Sequence, residues 1–286
     1  MDTLILLIGL KIIKRSISLN LFRRLFLDQF LIKSFKKVSR ISDPIDVSCC
    51  ICNAKNKIRY VCSSSIFSGP DLDTRPAFMA RYNIGYEVYS CKNCGYCNTE
   101  LDQEISGAKK VIQSPEYKKI LKNRRSPKKA NEFSCLAMLY DSKGNLVQSG
   151  FQYLKAAWIC DDKHKWMKGA QQIKADEENI TPIITPRMSA IAKSAVAFRM
   201  QALEKFKAAK KKNKAVMKTK GETRLLKTDI LRRMGQFNEA ENICRLALKK
   251  RLSSRIRHIL QYELYLCKNS DDTCRDIETA MEYKIK

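Results

Sequence analysis

Two short cysteine pairs are the residues of this chain whose type and spacing could do chemistry. Cys49 and Cys52 form one C-x-x-C pair, and Cys91 and Cys94 form a second one. A tetrahedral metal ion accepts four thiolates, and a C-x-x-C turn presents two of them on one side of the ion. The two pairs together therefore predict one metal site with Cys49, Cys52, Cys91 and Cys94 as its ligands.

All four predicted ligands are cysteines, which leaves no open coordination position for a substrate. We therefore expect one structural zinc ion and not a catalytic one. Gly95 directly follows the last ligand of the second pair, and Asn53 directly follows the last ligand of the first. Glycine and asparagine are the residues that best tolerate the positive φ typical of such a turn after its second cysteine.

Three more cysteines lie near the pairs, and their roles stay open at this point. Cys50 lies inside the first pair, Cys62 follows that pair, and Cys97 comes three residues after Cys94. Cys97 is an alternative ligand, and a Cys91-x-x-Cys94-x-x-Cys97 run is also a possible redox centre. The glycine after Cys94 favours Cys91 and Cys94 as the ligand pair.

No other pattern in the sequence predicts catalysis. Asp71 and Asp73 are close together, but neighbouring aspartates in a loop more often cap turns than act as paired acids. Arg75 can pair with either carboxylate. The chain has two histidines, His164 and His258, and no nucleophile–base arrangement or phosphate loop. We therefore expect no catalytic activity.

The elements that must hold the cysteines are short strands. Residues 57–62 and residues 86–90 alternate in polarity and contain β-branched or aromatic side chains, so each predicts a strand beside a cysteine pair. Proline, glycine and aspartate in residues 69–76 predict turns between them. Residues 44–105 are therefore predicted to form a small zinc-ribbon-like β module.

The pattern becomes helical after residue 105, so residues 106–286 are predicted to form a helical domain. The fold class is then α+β and mostly α. Two helical hairpins are predicted with turns at Gly144 and Gly235, whose separation is a little under three lengths of the tetratricopeptide repeat of about 34 residues. Ser114 and Pro115 predict a helix start.

A long helix is predicted over residues 186–209 from an apolar stripe at helical spacing. A further, degraded hairpin is predicted to begin at residues 255–268. Trp158 and Trp166 fall on helical faces, and we expect both side chains in the core.

The chain has 286 residues and 12 cysteines. This length suffices for two compact domains. Because the paired cysteines have metal spacing and the others are scattered singly, the cysteine usage indicates a reducing cytoplasm and not a secreted disulfide framework.

The formal net charge of +26 is large. One interpretation is solvated, lysine-rich helix faces; the other is an acidic partner such as nucleic acid or anionic lipid. The densest basic stretch, residues 109–129, contains a single acid, Glu116. It is the best candidate for a nucleic-acid-binding surface, with a solvated helix face as the competing interpretation.

The N-terminal extension, residues 1–43, differs in composition from the rest of the chain. Its apolar run over residues 4–10 is far shorter than the roughly 18 residues that a membrane span requires. Residues 22–37 combine phenylalanines with basic residues and predict a basic amphipathic helix, so residues 1–40 are a candidate for membrane-surface attachment. The alternative is a poorly ordered tail.

Several motifs follow one another in a distinctive order. They are the first cysteine pair, Gly-Pro-Asp-Leu-Asp-Thr-Arg-Pro at residues 69–76, Cys-Lys-Asn-Cys-Gly-Tyr at residues 91–96, Ala-Ala-Trp-Ile-Cys-Asp-Asp at residues 156–162 and Arg-Arg-Met-Gly-Gln-Phe-Asn-Glu-Ala at residues 232–240. Over residues 45–268 the chain resembles a bacterial family of uncharacterised proteins that join a zinc-ribbon-like module to tetratricopeptide-like helices. The resemblance implies this fold and a bound metal, but no established activity. Cys50 stands where such knuckles usually carry proline, and Asn53 where they usually carry glycine.

These patterns favour a zinc-binding protein-interaction scaffold. Stacked helical hairpins form a surface that binds a peptide or a partner helix, and the zinc module would cap the N-terminal end or dock a partner itself. The alternative is a nucleic-acid-binding protein that uses residues 109–129, whose affinity would fall steeply with salt.

Overall fold

A computed structural model describes residues 39–64 and 68–284 of the chain. The residues for which we predicted an amphipathic helix and a candidate membrane attachment, residues 1–40, lie outside this part, apart from Ser39 and Arg40. Those two residues begin the first strand. Among the described helices, none is both long and apolar enough to cross a membrane.

Six short strands form three two-stranded antiparallel sheets in the described part of the chain. The strands are β1 (Ser39–Ile41), β2 (Ile45–Ser48), β3 (Lys55–Ile58), β4 (Val61–Ser64), β5 (Tyr89–Ser90) and β6 (Cys97–Asn98). Strand β1 pairs with β4, β2 with β3, and β5 with β6. The first four strands therefore make one long hairpin with the first cysteine pair at its tip, and β5 and β6 make a second hairpin with the other pair at its tip.

The predicted strands are present in part. The strand expected over residues 57–62 is divided into β3 and β4; between them the Tyr60 N–H donates to the Ser42 side-chain oxygen at 2.9 Å and not to a backbone carbonyl. The strand expected over residues 86–90 is limited to β5, since Tyr82–Tyr86 forms a 3-10 helix.

Helices make up most of the described chain. They are α1 (Phe78–Arg81), α2 (Ala108–Gln113), α3 (Pro115–Leu121), α4 (Lys128–Ser142), α5 (Leu146–Glu178), α6 (Pro186–Lys211), α7 (Lys220–Arg232), α8 (Phe237–Leu248), α9 (Ser254–Lys268) and α10 (Ile277–Glu282). The predicted class, α+β and mostly α, is confirmed. The predicted start of α3 is also confirmed: Ser114 caps it by accepting a hydrogen bond from the Tyr117 backbone N–H at 3.2 Å.

The two predicted helix-to-helix turns are present and use the same backbone geometry. Gly144 (φ +72°) joins α4 to α5, and Gly235 (φ +74°) joins α7 to α8. In each turn the glycine N–H donates to the carbonyl three residues earlier, at 2.8 Å in both cases. The next N–H donates to the carbonyl five residues earlier, at 2.9 Å from Asn145 and 3.0 Å from Gln236. These paired bonds satisfy the carbonyls at the end of the first helix, as in a Schellman cap.

Helix α5 is a single helix of 33 residues, about 50 Å long, and it packs along α4 on one side and along α6 on another. The predicted stripe of α6 is largely confirmed, since Met188, Ile191, Ala195 and Phe206 are buried. Trp158 is buried as expected. The expectation for Trp166 is wrong: its side chain is 65% exposed, because the C-terminal half of α5 extends beyond α4, and Lys163 lies over its ring at 4.1 Å.

Buried apolar side chains form two clusters. The larger cluster runs from both cysteine hairpins through α2–α6 to the parts of α7 and α8 near the Gly235 turn, and it includes Cys267 of α9. The smaller cluster is built from α7–α10 and includes Leu72, which lies far from these helices in sequence. The segment that carries Leu72 therefore connects the β hairpins to the C-terminal end of the helical array.

This connecting segment, residues 69–76, is called the strap below. The Leu72 N–H donates to the Arg275 carbonyl at 2.9 Å, and the Ile277 N–H donates to the Pro70 carbonyl at 3.0 Å. The Gly69 N–H donates to Glu278 Oε1 at 2.8 Å. The strap thus pairs with the chain more than 200 residues later and holds the start of α10.

Candidate metal centre

The two cysteine turns have the same backbone structure. In the first knuckle, residues 49–54, the Cys49 N–H donates to the Ala54 carbonyl at 3.0 Å, and the Asn53 N–H donates to the Cys49 carbonyl at 2.8 Å. In the second knuckle, residues 91–96, the corresponding bonds run from Cys91 N–H to Tyr96 at 2.8 Å and from Gly95 N–H to Cys91 at 3.0 Å. Each knuckle closes a β hairpin, which places its two thiols on one side of the turn.

Positive φ values occur where the sequence predicts them, at Asn53 (56°) and Gly95 (78°). Asparagine adopts this region more readily than other residues with a Cβ, so the first knuckle forms without a glycine. At Gly95 the space is also restricted, because a Cβ there would lie 2.6 Å from Leu121 Cδ2. The second knuckle therefore packs directly against the end of α3.

The four predicted ligands converge. The Sγ atoms of Cys49, Cys52, Cys91 and Cys94 all lie within 4.8 Å of one another. Cys49 Sγ is 3.7 Å from Cys94 Sγ, and Cys52 Sγ is 3.6 Å from Cys91 Sγ. Four thiolates that surround a tetrahedral ion with metal–sulfur bonds of about 2.3 Å are about 3.8 Å apart. The residues therefore fit one metal ion shared between the two knuckles.

Asn56 supports the site without being a ligand, and the sequence analysis missed it. Its side chain is 3% exposed, and its Nδ2 donates to Cys91 Sγ at 3.6 Å and to the Ala54 carbonyl at 2.8 Å. Its Oδ1 accepts from the Lys92 N–H at 3.0 Å. Asn56 therefore links the first hairpin to the second knuckle; it lies one residue before the strand predicted over residues 57–62, so the sequence pattern gave no signal for it.

The surroundings of the thiols affect their ionisation in different directions. Burial raises the pKa of Cys49 and of Cys94. The backbone N–H of Ala54 is the main cause that lowers the pKa of Cys52, to about 6. A bound cation would favour the thiolate form at all four positions, because metal coordination deprotonates a thiol.

The three nearby cysteines lie outside the cluster. Cys50 is half-buried, and its backbone N–H donates to the Leu101 carbonyl at 2.9 Å. Cys62 is exposed on β4. Cys97 is buried and its thiol donates to the Gly95 carbonyl at 3.4 Å. Among the described residues, the structure groups Cys91 and Cys94 with the first pair and leaves Cys97 out.

The carboxylates of the strap are engaged by the protein. Asp71 Oδ1 accepts from Arg81 at 2.5 Å, and its Oδ2 accepts from Cys274 Sγ at 2.8 Å. Asp73 Oδ2 accepts from Trp158 Nε1 at 2.6 Å, and its Oδ1 accepts from the Arg75 N–H at 3.2 Å. Asp73 thus caps a turn, as expected for neighbouring loop aspartates.

The predicted pairing of Arg75 with these carboxylates is wrong. Its guanidinium forms an ion pair with Asp162 of α5, because the strap crosses the helical array at that point. Beside it, Asp161 pairs with Arg199 at 2.5 Å and with Arg233 at 2.7 Å. Arg199 is 1% exposed on an otherwise apolar helix face, and no pattern in the sequence pointed to it.

Helix α3, which carries part of the basic stretch of residues 109–129, packs against the second knuckle. The Tyr117 hydroxyl donates to the Gly95 carbonyl at 2.9 Å and accepts from the Cys97 N–H at 3.1 Å. Tyr117 is buried, whereas the basic side chains of α2 and α3 are exposed. The second knuckle and the basic stretch are therefore parts of one packed unit.

A comparison with known proteins assigns a family. The sequence model of the family described as "Uncharacterized protein conserved in bacteria (DUF2225)" matches residues 45–263, about three quarters of the chain. Neither a curated protein nor a solved structure matches the chain. The matched span contains both knuckles, the strap and the helices from α1 into α9. The chain therefore belongs to this family of bacterial proteins.

Proposed function

We propose that this protein is a non-catalytic scaffold in which one structural zinc ion holds the two hairpins together and the helical array binds a protein partner. The observation that carries the proposal is the convergence of four cysteine thiols, and no other ligand type, on one point. Four thiolates fill a tetrahedral shell completely, so a substrate has no position on the metal.

Zinc is the metal that best fits this ligand set. A tetrahedral site of four thiolates selects zinc or iron–sulfur chemistry, and two C-x-x-C knuckles that share one ion are typical of structural zinc. All 12 cysteines are free thiols, which supports a reducing compartment such as the cytoplasm.

The helical array would provide the contact surface. The matching turns at Gly144 and Gly235 support a tetratricopeptide-like arrangement of helical hairpins, in which successive hairpins stack. The α5–α6 hairpin and its connecting loop expose five large apolar side chains, namely those of Trp166, Ile180, Ile183, Ile184 and Met200. Exposed apolar side chains that cluster on one element are typical of protein-binding surfaces.

Metal analysis of the purified full chain tests the zinc assignment. We expect one zinc per chain, lost in each of the variants Cys49→Ser, Cys52→Ser, Cys91→Ser and Cys94→Ser. The matched controls are Cys50→Ser, Cys62→Ser and Cys97→Ser, which change neighbouring thiols outside the cluster and should keep the metal. Zinc retained in the first set, or lost in Cys97→Ser, would contradict the proposed ligands.

Proximity labelling in the bacterium that encodes the protein tests the partner surface. The triple variant Trp166→Ser, Ile183→Ser, Ile184→Ser should lose specific labelled proteins that the wild type retains. The matched control is Leu246→Ser, Tyr265→Ser, Met281→Ser, which removes three exposed apolar side chains from α8, α9 and α10. Identical labelling by both triple variants would argue against the α5–α6 hairpin as the contact surface.

A further inference from the structure

A group of basic side chains lies on and near the helix that packs against the second knuckle, and the scaffold proposal does not use it. This basic surface consists of seven exposed residues on α2, on α3 and in the loop that follows: Lys109, Lys110, Lys118, Lys119, Lys122, Arg124 and Arg125. Exposed cations at this density attract a partner of high negative charge.

None of these seven side chains is neutralised within the described part of the chain, where no ion pair involves them. The neighbouring Lys128 and Lys129 behave differently, since both pair with Glu132 at 3.8 Å and 2.7 Å. The seven charges therefore repel one another in the free protein, and an anionic partner would relieve that repulsion.

Two of the nearby acidic residues, Glu100 and Asp102, lie towards the first hairpin. Burial is the main cause that raises the pKa of Tyr60 in that hairpin, and the charges of Asp102 and Glu100 add to it. Glu116 is the one acid in residues 109–129. The basic surface is thus segregated from the acids that precede it in the chain.

The surface is also held in a fixed position. On the opposite side of α3, Tyr117 is 1% exposed and bonded to the second knuckle, and Leu121 packs against Gly95. The Cys135 thiol donates to the Tyr117 carbonyl at 3.8 Å and connects α3 to α4. A preorganised array of charges loses less entropy on binding than flexible side chains on a mobile segment.

We propose that this basic surface binds the phosphate backbone of nucleic acid. Residues 92–129 expose no large apolar side chain, so the surface has charge but nothing to insert into a bilayer. An anionic membrane is the competing partner, because Arg187 donates to the Arg124 carbonyl and follows the exposed Ile183 and Ile184. Exposed Asp176, Glu177 and Glu178 end the helix before that loop and would repel anionic lipid.

Fluorescence anisotropy on the full, zinc-loaded chain tests the proposal. The probes are a labelled single-stranded DNA, the same sequence as RNA, and a DNA duplex, each about 20 nucleotides or base pairs long, which exceeds the roughly 4–16 nucleotides that a small module covers. The variant Lys118→Gln, Lys119→Gln, Lys122→Gln, Arg125→Gln should bind at least about tenfold more weakly at about 100 mM salt. On a single strand, the slope of log K against log salt should also decrease by up to about 3.

The matched control removes the same number of charges elsewhere. It is Lys210→Gln, Lys211→Gln, Lys212→Gln, Lys214→Gln, at the exposed C-terminal end of α6, and it should change the affinity less than about twofold if the basic surface is the site. Equal weakening by both variants would show that only the overall charge matters and would overturn the proposal.

Two further results would overturn it. One is no binding of any probe at about 50 mM salt. The other is binding to phosphatidylglycerol vesicles, and not to the nucleic acids, that the basic-surface variant abolishes. Zinc content is measured on every variant, so a failure of the metal centre is distinguishable from a failure of the basic surface.

Discussion

Side chains that are not ligands determine how firmly the metal centre is held. Asn56 bonds to Cys91 Sγ and to the backbone of both knuckles. Gly95 combines a positive φ with a close approach of Leu121. Outer groups of this kind orient metal ligands and restrict their motion.

Gly95→Ala should be clearly more destabilising than Gly144→Ala. Both glycines have positive φ, which costs a residue with a Cβ about 1–2 kcal/mol. The added Cβ at position 95 meets Leu121 Cδ2 at 2.6 Å, whereas at position 144 nothing lies within 4 Å. Displacing a packed side chain costs about 1–3 kcal/mol more, and urea denaturation of the zinc-loaded protein measures the difference.

Leu121→Ala provides the control, because in that background the Cβ at position 95 has no atom to meet. The extra cost of Gly95→Ala over Gly144→Ala should then largely disappear. Equal destabilisation by the two glycine variants in the wild-type background would mean that α3 does not pack on the second knuckle.

Asp73 should make the stability of the fold depend on pH. Burial is the main cause that raises the pKa of its carboxyl from 3.8 to about 6, with the Asp229 charge adding to it. A carboxyl with a raised folded-state pKa is most favourable when protonated, so this contribution is fully present below the unfolded-state pKa and is lost as pH rises through about 6.

The variant Asp73→Asn removes this titration and keeps an acceptor for the Trp158 indole. Relative to the wild type, it should gain on the order of 1 kcal/mol between about pH 5 and pH 8. Denaturant midpoints of both proteins across that range measure the gain. A stability difference that stays constant, or that falls as pH rises, would show that Asp73 is already ionised at pH 5 in the folded protein.

Among the elements, the strap is the segment whose role depends most on distant contacts. Its backbone pairs with residues 275–277, and its carboxylates contact α1 and α5 through Arg81 and Trp158. A segment of turn-forming residues is thus fixed by side chains from both ends of the chain.

Leu72→Ala should destabilise the protein by about 2–5 kcal/mol, the usual cost of truncating a buried leucine. Leu72 is 2% exposed and packs in the cluster formed by α7–α10. Leu246→Ala is the control, since Leu246 is 54% exposed on α8 and should change stability by less than about 0.5 kcal/mol.

Hydrogen exchange would localise the effect of Leu72→Ala. The Ile277 N–H, which donates to the Pro70 carbonyl, should lose protection in this variant and not in Leu246→Ala. If both variants have wild-type stability and protection, the strap does not hold α10.

At the scale of the whole molecule, the two apolar clusters differ in how directly their stability depends on the metal. The larger cluster contains Cys49, Cys91 and Tyr117 together with residues of α4–α6 and a few residues of α7–α9. The smaller cluster contains residues of α7–α10 and no metal ligand. Loss of the metal therefore acts first on the larger cluster.

Chelation of zinc should reduce hydrogen-exchange protection in residues 45–58, residues 89–98 and α3, because a structural zinc contributes on the order of 10 kcal/mol to the folding of the residues that bind it. Amides of α8 and α9 should keep most of their protection. Mass-spectrometric exchange before and after chelation measures both. A single cooperative loss over the whole chain would contradict this division.

The sequence by itself determined the features that depend on neighbouring residues. The knuckles, the turns at Gly144 and Gly235, and the capped start of α3 follow from bond geometry and hydrogen bonds within a few residues, so residue type and spacing were sufficient. The convergence of the two cysteine pairs was also predictable, because four thiols with metal spacing serve one ion.

Only the tertiary structure decided which distant groups meet. Arg75 pairs with Asp162 and not with its neighbours, Arg199 is buried against Asp161, and Trp166 lies in solvent. These outcomes depend on where the strap crosses the helices and how far α5 extends past α4. No local pattern encodes them, since buried charges are satisfied by whichever partner the packing of separate elements brings within reach.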